Sequence, residues 1–166
     1  MRIRRMDAAD LASVLSVQSE SPGISQWSRS DYETSLRNEV AGWIAEDDGR
    51  VVGFIVARLA AQEIEILNLA VRPASRRQGV GTELLNAALQ WGRASGAERA
   101  ILDVRASNRP ALRLYERHGF HIEGRRPRYY RSPAEDALLL GCSLNSGAQD
   151  QGAAKANFAN AKERSA

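Results

Sequence analysis

The sequence predicts a mixed α/β (α+β) fold, a mostly antiparallel sheet covered by helices. Three observations carry this reading. Runs of strand and helix periodicity alternate in the order β-α-α-β-β-β-α-β-α-β-β, with hairpins first and helical crossovers later. Asp47-Asp48-Gly49-Arg50 joins two β-rich runs, and Asp-Gly tolerates the positive φ of a tight hairpin turn. The strand over 63–71 changes its apolar phase midway, which points to a β-bulge.

Each element has its own signal. Arg2 to Met6 reads as a short first strand, and Asp7 as the cap of a helix carrying Leu11, Val14, Leu15 and Gln18 at helical spacing. After the breaker Ser21-Pro22-Gly23, Ser28 caps a second helix, with Asp31 near its positive end and Tyr32 and Leu36 on one face. Residues 40–46 and 51–60 flank the Asp-Gly turn as strands. In the next strand apolar residues occupy 64 and 66, then 67, 69 and 71, so the period of two slips at Ile66/Leu67. A fully buried strand, where phase matters little, is the plainer alternative. Arg72-Pro73 ends this strand. A long helix opens after Gly79 with Val80, Leu84, Ala88 and Trp91 at near-helical spacing and closes around Gly92 to Gly96. Ala100 to Arg105 is a short strand, Ser107 or Asn108 caps a further helix with Pro110 in its first turn, and Gly119 stands just beyond its end. Phe120 to Glu123 and Ala137 to Leu144 read as the last strands. Residues 1–144 thus form one domain, and 145–166, rich in Ala, Asn, Gln, Ser and Gly, read as a disordered C-terminal tail.

Composition narrows the classes. With 43% hydrophobic and 26% charged residues over 166 positions, the chain is an ordinary soluble globular protein. No run approaches the roughly 20 apolar residues of a membrane span, and the N-terminus lacks the apolar stretch of a secretion signal. The single cysteine, Cys142, lies in an apolar run and reads as a buried strand residue, so the fold needs no oxidising compartment and the expected location is cytoplasmic. The net charge of +3 is modest, and the dense cluster Arg125, Arg126, Arg128 and Arg131 suits either a solvated loop or a polyanionic ligand. No direct nucleic-acid partner is expected. His118 and His121 lack a set of metal-ligating companions, so no metal is expected either.

The segment Arg76-Arg77-Gln78-Gly79-Val80-Gly81-Thr82 lies between a strand and a helix. Glycines let backbone N–H groups approach an anion, the helix start adds partial positive charge, and arginines flank it. It lacks the Gly-Lys-[Ser/Thr] of a Walker loop and the glycine spacing of a dinucleotide fingerprint. With these residues the chain resembles the GNAT N-acetyltransferase superfamily. Arg76-x-x-Gly79-x-Gly81 fits its pyrophosphate loop, Ile66 to Val71 resembles its bulged fourth strand, and Asn108 through Phe120 resembles its "N…A-x-x-L-Y-x-x-x-G-F" segment. More narrowly, Leu102 to Asn108, Arg126 to Tyr130 and Glu135-Asp136-Ala137 resemble the ribosomal-protein-alanine acetyltransferases. The resemblance covers about residues 1 to 144.

It implies a mixed, mostly antiparallel sheet with a bulged fourth strand, flanked by helices on both faces. It also implies transfer of acetyl from acetyl-CoA to an amine, the acceptor being the N-terminal α-amine of a protein, an alanine-starting ribosomal protein in particular. Carried over residue by residue, Leu69, Ala70 and Val71 bind the pantetheine arm, and Arg77, Gln78, Gly79, Val80, Gly81 and Thr82 hold the pyrophosphate, with Arg76 supplying charge. Asn108 contacts the cofactor arm. Tyr115, whose phenol is protonated at neutral pH, matches the general acid that serves the leaving thiolate. For the base, Asp103 stands where relatives have Glu, and Glu65 on the bulged strand competes with it. An α-amine needs roughly 3 kcal/mol less than a lysine to deprotonate, so a weak or water-mediated base suffices there. Arg126, Tyr129 and Tyr130 line the acceptor groove. Trp27 matches the tryptophan of a Pro-Trp-Ser element in which Gln26 replaces the proline. Glu135 and Asp136 are expected either to meet basic acceptor residues or to pair with Arg128 or Arg131, and Asp103 either to act as base or to pair with an arginine such as Arg105. Two other readings remain: acetylation of a small amine, since the fold hosts many acceptors, and a non-catalytic acyl-CoA-binding partner of another protein.

Overall fold

The computed structural model describes residues 1–145. The expected tail over 145–166 lies, from residue 146 on, outside the described residues. Two compact units are distinguished, Met1–Ala97 and Glu98–Ala166. The strands and helices follow the expected order.

The first unit holds β1 (Arg2–Arg5), α1 (Leu11–Ser19), α2 (Arg29–Leu36), β2 (Val40–Asp47), β3 (Arg50–Ala60), β4 (Glu63–Val71) and α3 (Val80–Ala94). Its four strands pair in sequence order, each antiparallel to the next. Asp7 caps a single 3-10 turn, Ala8–Asp10, before α1 rather than α1 itself. The reason is Asp10: its carboxylate reaches back to the Asp7 N–H and takes two bonds from Arg4, which fixes a tight turn before the α-helix begins. Ser28 and Asp31 form a full capping box at α2. The β2–β3 turn puts Asp48 and Gly49 at φ 47° and 73°, the pair of positive angles that a two-residue hairpin requires.

The bulge falls where the apolar phase slips. Val56 pairs with Asn68 and Ala57 with Ile66, which leaves Leu67 without an opposite residue. Ile64, Ile66, Leu69 and Val71 therefore share the face of β3 that carries Leu59, Ala57, Ile55 and Gly53. That face receives α3: Ile64 meets Gly92, and Gly53 lies under Val80 and Leu84. Asn68 and Ala70 turn the other way with Val56 and Phe54. There Leu11, Val14, Val17 and Tyr32 of α1 and α2 close a second core, with Leu67 packed against it. Helices thus cover both faces of this sheet, as the resemblance implied.

The second unit holds β5 (Arg99–Arg105), α4 (Arg109–Arg117), β6 (His121–Arg131) and β7 (Ala134–Ser143), with β7 paired antiparallel to both β5 and β6. Both β6 and β7 run longer than the sequence predicts, where strand stops at Glu123 and resumes at Ala137. β6 is the last strand in the sheet order, and its residues 125–129 are all exposed, so no apolar alternation marks it. Three residues, Pro127 to Tyr129, also bulge out between the pairs Arg126–Ala137 and Tyr130–Glu135. Cys142 is buried on β7, as expected.

Gly53 supplies a packing test. A Cβ there would stand 2.9 Å from the Ala70 carbonyl oxygen and 3.2 Å from both Leu84 and Val80. Gly53→Ala should cost about 1–3 kcal/mol in urea unfolding through overpacking. Gly23→Ala, whose Cβ meets nothing within 4 Å, should be close to neutral in the same assay.

Candidate active site

The first unit offers an anion cradle. Arg77 and Gly79 both take positive φ, 59° and 83°, just before α3 begins at Val80. Such reversals turn successive N–H groups to one side. Gly79 is the N-cap and gives no side-chain bond, and the Glu83 N–H reaches its carbonyl at 3.0 Å. The N–H groups of Val80, Gly81 and Thr82 precede the first intrahelical donor of a 15-residue helix, so they remain for an anion or solvent. Arg77, Gln78 and Gly79 are exposed and Gly81 and Thr82 half-buried, so a ligand can reach them. Arg76 is spent differently from its neighbour: its Nε donates to the Val71 carbonyl at 2.9 Å and an Nη to Ser21 Oγ at 3.3 Å. It ties the loop to the end of β4. The Gln78 amide closes the turn on the Ala74 carbonyl. A diphosphate suits this donor set of backbone amides and a nearby exposed guanidinium.

On β4, Leu69 and Val71 are half-buried and Ala70 is buried. Glu65 forms an ion pair with Arg58 across the β3–β4 ladder. Trp27 is half-buried, its ring centroid 5.0 Å from that of Tyr32. Gln18 clamps its backbone, accepting from the Trp27 N–H at 3.1 Å and donating to its carbonyl at 2.8 Å.

The second unit gathers the remaining candidates. Asp103 on β5 faces Arg126 of β6, Oδ1 to Nε 3.3 Å, so an arginine stands beside it as the sequence allowed. Arg126 lies 5.7 Å from the Tyr129 ring centroid, and the Tyr129 and Tyr130 rings meet edge to face at 5.1 Å. Arg105 stacks over Tyr130 at 4.3 Å and bonds the Ser132 and Pro133 carbonyls and Glu135. Glu135 accepts from the Ser107 N–H at 2.7 Å. Asp136 accepts from Arg125 and from the Arg128 N–H, where φ is 51°. Both carboxylates are thus engaged within the chain, Glu135 through Arg105 rather than Arg128 or Arg131. They fix the β6 bulge that presents Tyr129, which is 50% exposed. Asn108 caps α4, accepting from the Ala111 N–H at 3.3 Å. Tyr115 of α4 is buried and packs edge-on against Phe120. Burial pushes the Tyr115 phenol well above the ordinary tyrosine value, with a further rise from Tyr130. Burial, then the charge of Asp103, pushes Tyr130 up to about 12.

Gln18, Tyr32 and Asn68, which bond one another, were not singled out as functional by the sequence. Their signal was present as polarity: Gln18 sits on the apolar stripe of α1 and Asn68 inside an apolar strand. His118 bonds the Leu114 carbonyl and His121 lies 3.3 Å from Glu123. Among the described residues no three His, Cys, Asp or Glu side chains gather to hold a metal ion, and no helix is long and apolar enough to cross a membrane.

Against known proteins, the profile of the acetyltransferase (GNAT) family matches residues 9–120. The chain is similar to a Bacillus subtilis protein that carries the provisional designation ribosomal protein bS18 alanine N-acetyltransferase, at 32% identity over 86% of this chain and 95% of that one. It is also similar to an N-alpha-acetyltransferase of Sulfurisphaera tokodaii, at 35% identity over 64% of this chain and 71% of the relative. Among solved structures, the ribosomal-protein-S18-alanine N-acetyltransferase from Escherichia coli shares the fold with a TM-score of 0.80, at 24% identity, covering 90% of this chain and 97% of that one.

The shifted phenols give a pH test. Unfolded tyrosines ionise near 10, whereas Tyr32, Tyr115 and Tyr130 keep their protons longer in the folded protein. Between pH 10 and 12 the unfolded chain binds fewer protons than the folded one, so stability falls as pH rises. Urea midpoints should drop across that window, and Tyr130→Phe should flatten part of the slope.

Proposed function

This chain belongs to the acetyltransferase (GNAT) family, and from that membership we propose that it acetylates the N-terminal α-amine of a protein, an alanine-starting ribosomal protein in particular. That it is an acetyl-CoA-dependent N-acetyltransferase follows from the family. The acceptor is the proposal. Its support is the second unit's resemblance to ribosomal-protein-alanine acetyltransferases, from Leu102 to Ala137, and the designations of the two relatives above. The lone cysteine suits a cytoplasmic setting.

The observation that carries the reaction chemistry is the uncapped start of α3 behind two positive-φ residues, immediately after a bulged strand. In our assignment the N–H groups from Arg77 to Thr82 hold the diphosphate of acetyl-CoA. Arg76 fixes the loop and lends charge. Leu69, Ala70 and Val71 bind the pantetheine arm with their backbone groups, and Asn108 contacts that arm. Acetyl-CoA supplies an acetyl group activated as a thioester.

The acceptor nitrogen must be neutral to attack, so a proton leaves it for a base. Asp103, directly or through water, is the assigned acceptor of that proton, and Glu65 is its competitor. The new carbon–nitrogen bond forms as the carbon–sulfur bond breaks. Tyr115 donates its proton to the departing sulfur, its phenol being protonated at neutral pH. Trp27, Arg126, Tyr129 and Tyr130 are assigned to the acceptor peptide, the two phenols as hydrogen-bond partners of its backbone.

Incubation with acetyl-CoA and an alanine-starting ribosomal peptide should give a product heavier by about 42 Da, with acetyl in place of hydrogen on the α-nitrogen. Acetylation confined to lysine side chains would refute the acceptor assignment. Tyr115→Phe should lower kcat by about 10²–10⁴ while calorimetry shows coenzyme A still binding, as loss of a proton donor demands. Asp103→Asn and Glu65→Gln, compared under the same conditions, identify the base by the larger fall.

A further inference from the structure

Asn68 follows the bulge residue directly and is only 5% exposed. Its neighbours on that face of the sheet, Phe54, Val56 and Ala70, are apolar. A buried amide there costs stability unless its donors are used. Asn68 uses them on the segment between α1 and α2: Nδ2 donates to the Ser25 carbonyl at 2.9 Å and, more weakly, to the Tyr32 hydroxyl at 3.5 Å. The Tyr32 hydroxyl donates to Gln18 Oε1 at 2.6 Å, and Gln18 grips both backbone groups of Trp27. Gln18 and Tyr32 are themselves buried, 5% and 0% exposed. Three polar side chains in an otherwise apolar core thus spend their hydrogen bonds on one another and on the turn that contains Trp27.

The same turn is braced from within. Gln26 Nε2 donates to the Ser21 carbonyl at 3.2 Å and the Ile24 carbonyl at 3.1 Å. Gln26 stands where the resemblance has proline, and its amide closes by hydrogen bonds a turn that a proline ring would stiffen covalently.

We propose that Asn68 is a positioning residue that seats the acceptor-binding turn 24–27 on β4 directly after its bulge through its bond to the Ser25 carbonyl, while Gln18 holds the same turn at Trp27. This rests on the acceptor reading given above. The bulge makes it possible, because with regular alternation residue 68 would point to the α3 face, away from that turn. Apolar residues at 18 and 68 would fill the space but leave the turn's carbonyls unheld. Turn placement then decides how the acceptor meets the strand that is assigned to the acetyl carrier.

The test is a steady-state comparison paired with amide hydrogen exchange. Asn68→Ala and Gln18→Leu should each raise the KM for the peptide about tenfold, with kcat changed less than about threefold and the KM for acetyl-CoA within about twofold. Exchange over residues 24–27 should rise in both, while β3 and α3 stay protected. Tyr32→Phe keeps the bond to Ser25 and the clamp on Trp27, and should leave the peptide KM within about twofold. Equal rises in both KM values with a matching fall in Tm would overturn the proposal, as would unchanged exchange at 24–27. A wild-type protein that turns over no peptide would sink the acceptor reading, and the exchange data would then still decide whether Asn68 seats the turn.

Discussion

One extra residue in β4 organises the first unit. Leu67 has no opposite number on β3, so the strand changes face halfway along its length. Before the bulge Ile64 and Ile66 are buried on the face that α3 covers; after it Leu69 and Val71, half-buried, return to that face, although the sequence separation has become odd. Without the inserted residue, one half of this apolar set would be turned to the other face. The opposite core, under α1 and α2, receives Ala70 and the amide of Asn68. A bulge also interrupts the ladder and frees backbone groups. One local irregularity thus serves packing on both faces just ahead of the exposed turn that opens α3.

The second unit is organised by charge instead. β6 carries four arginines in seven residues, and β7 answers with Glu135 and Asp136. Asp136 holds Arg125 and the Arg128 N–H, Glu135 holds Arg105 and the Ser107 N–H, and Asp103 faces Arg126. A pair as accessible as Arg125–Asp136 adds little stability, typically under about 1 kcal/mol. The effect of these contacts is geometric. They fix a three-residue bulge whose apolar content could not fix it, and so hold Tyr129 and Tyr130 in a defined edge-to-face pair. The cluster of arginines is therefore largely a structural device of this hairpin, with Arg126 shared between Asp103 and Tyr129.

Legibility followed the physics of each element. The bulge was readable because both flanks carry Ile, Leu or Val, whose misplacement has a large cost. The Ser28 cap of α2 and the Asp-Gly turn were readable because they depend on residues adjacent in sequence. The extent of β6 was not, since an exposed strand needs no apolar alternation. The exact partners of Glu135 and Asp136 were not readable either, because several arginines stood at similar sequence distance and only strand register selects among them. Nor did the sequence show that Arg76 and Arg77, adjacent and identical in type, would divide their roles. That division comes from backbone angles: Arg76 is extended and folds back on Val71, while Arg77 is left-handed and remains exposed.

The candidate bases bear on the choice of acceptor. Asp103 and Glu65 each stand beside a guanidinium, Asp103 at ion-pair distance from Arg126 and Glu65 hydrogen-bonded to Arg58. How much base is needed depends on the amine. At pH 7 about one α-amine in ten is neutral, against fewer than about one lysine in a thousand. For the α-amine the productive form is already present, and a carboxylate has only to receive the proton released as the carbon–nitrogen bond forms. For lysine the same carboxylate would first have to hold the amine neutral against roughly 3 kcal/mol. The first task suits a carboxylate paired with a guanidinium, or a water relaying to it. The second calls for one whose oxygens are available to the amine. An α-amine acceptor, as proposed, therefore asks less of a carboxylate that stands beside a guanidinium than a lysine would.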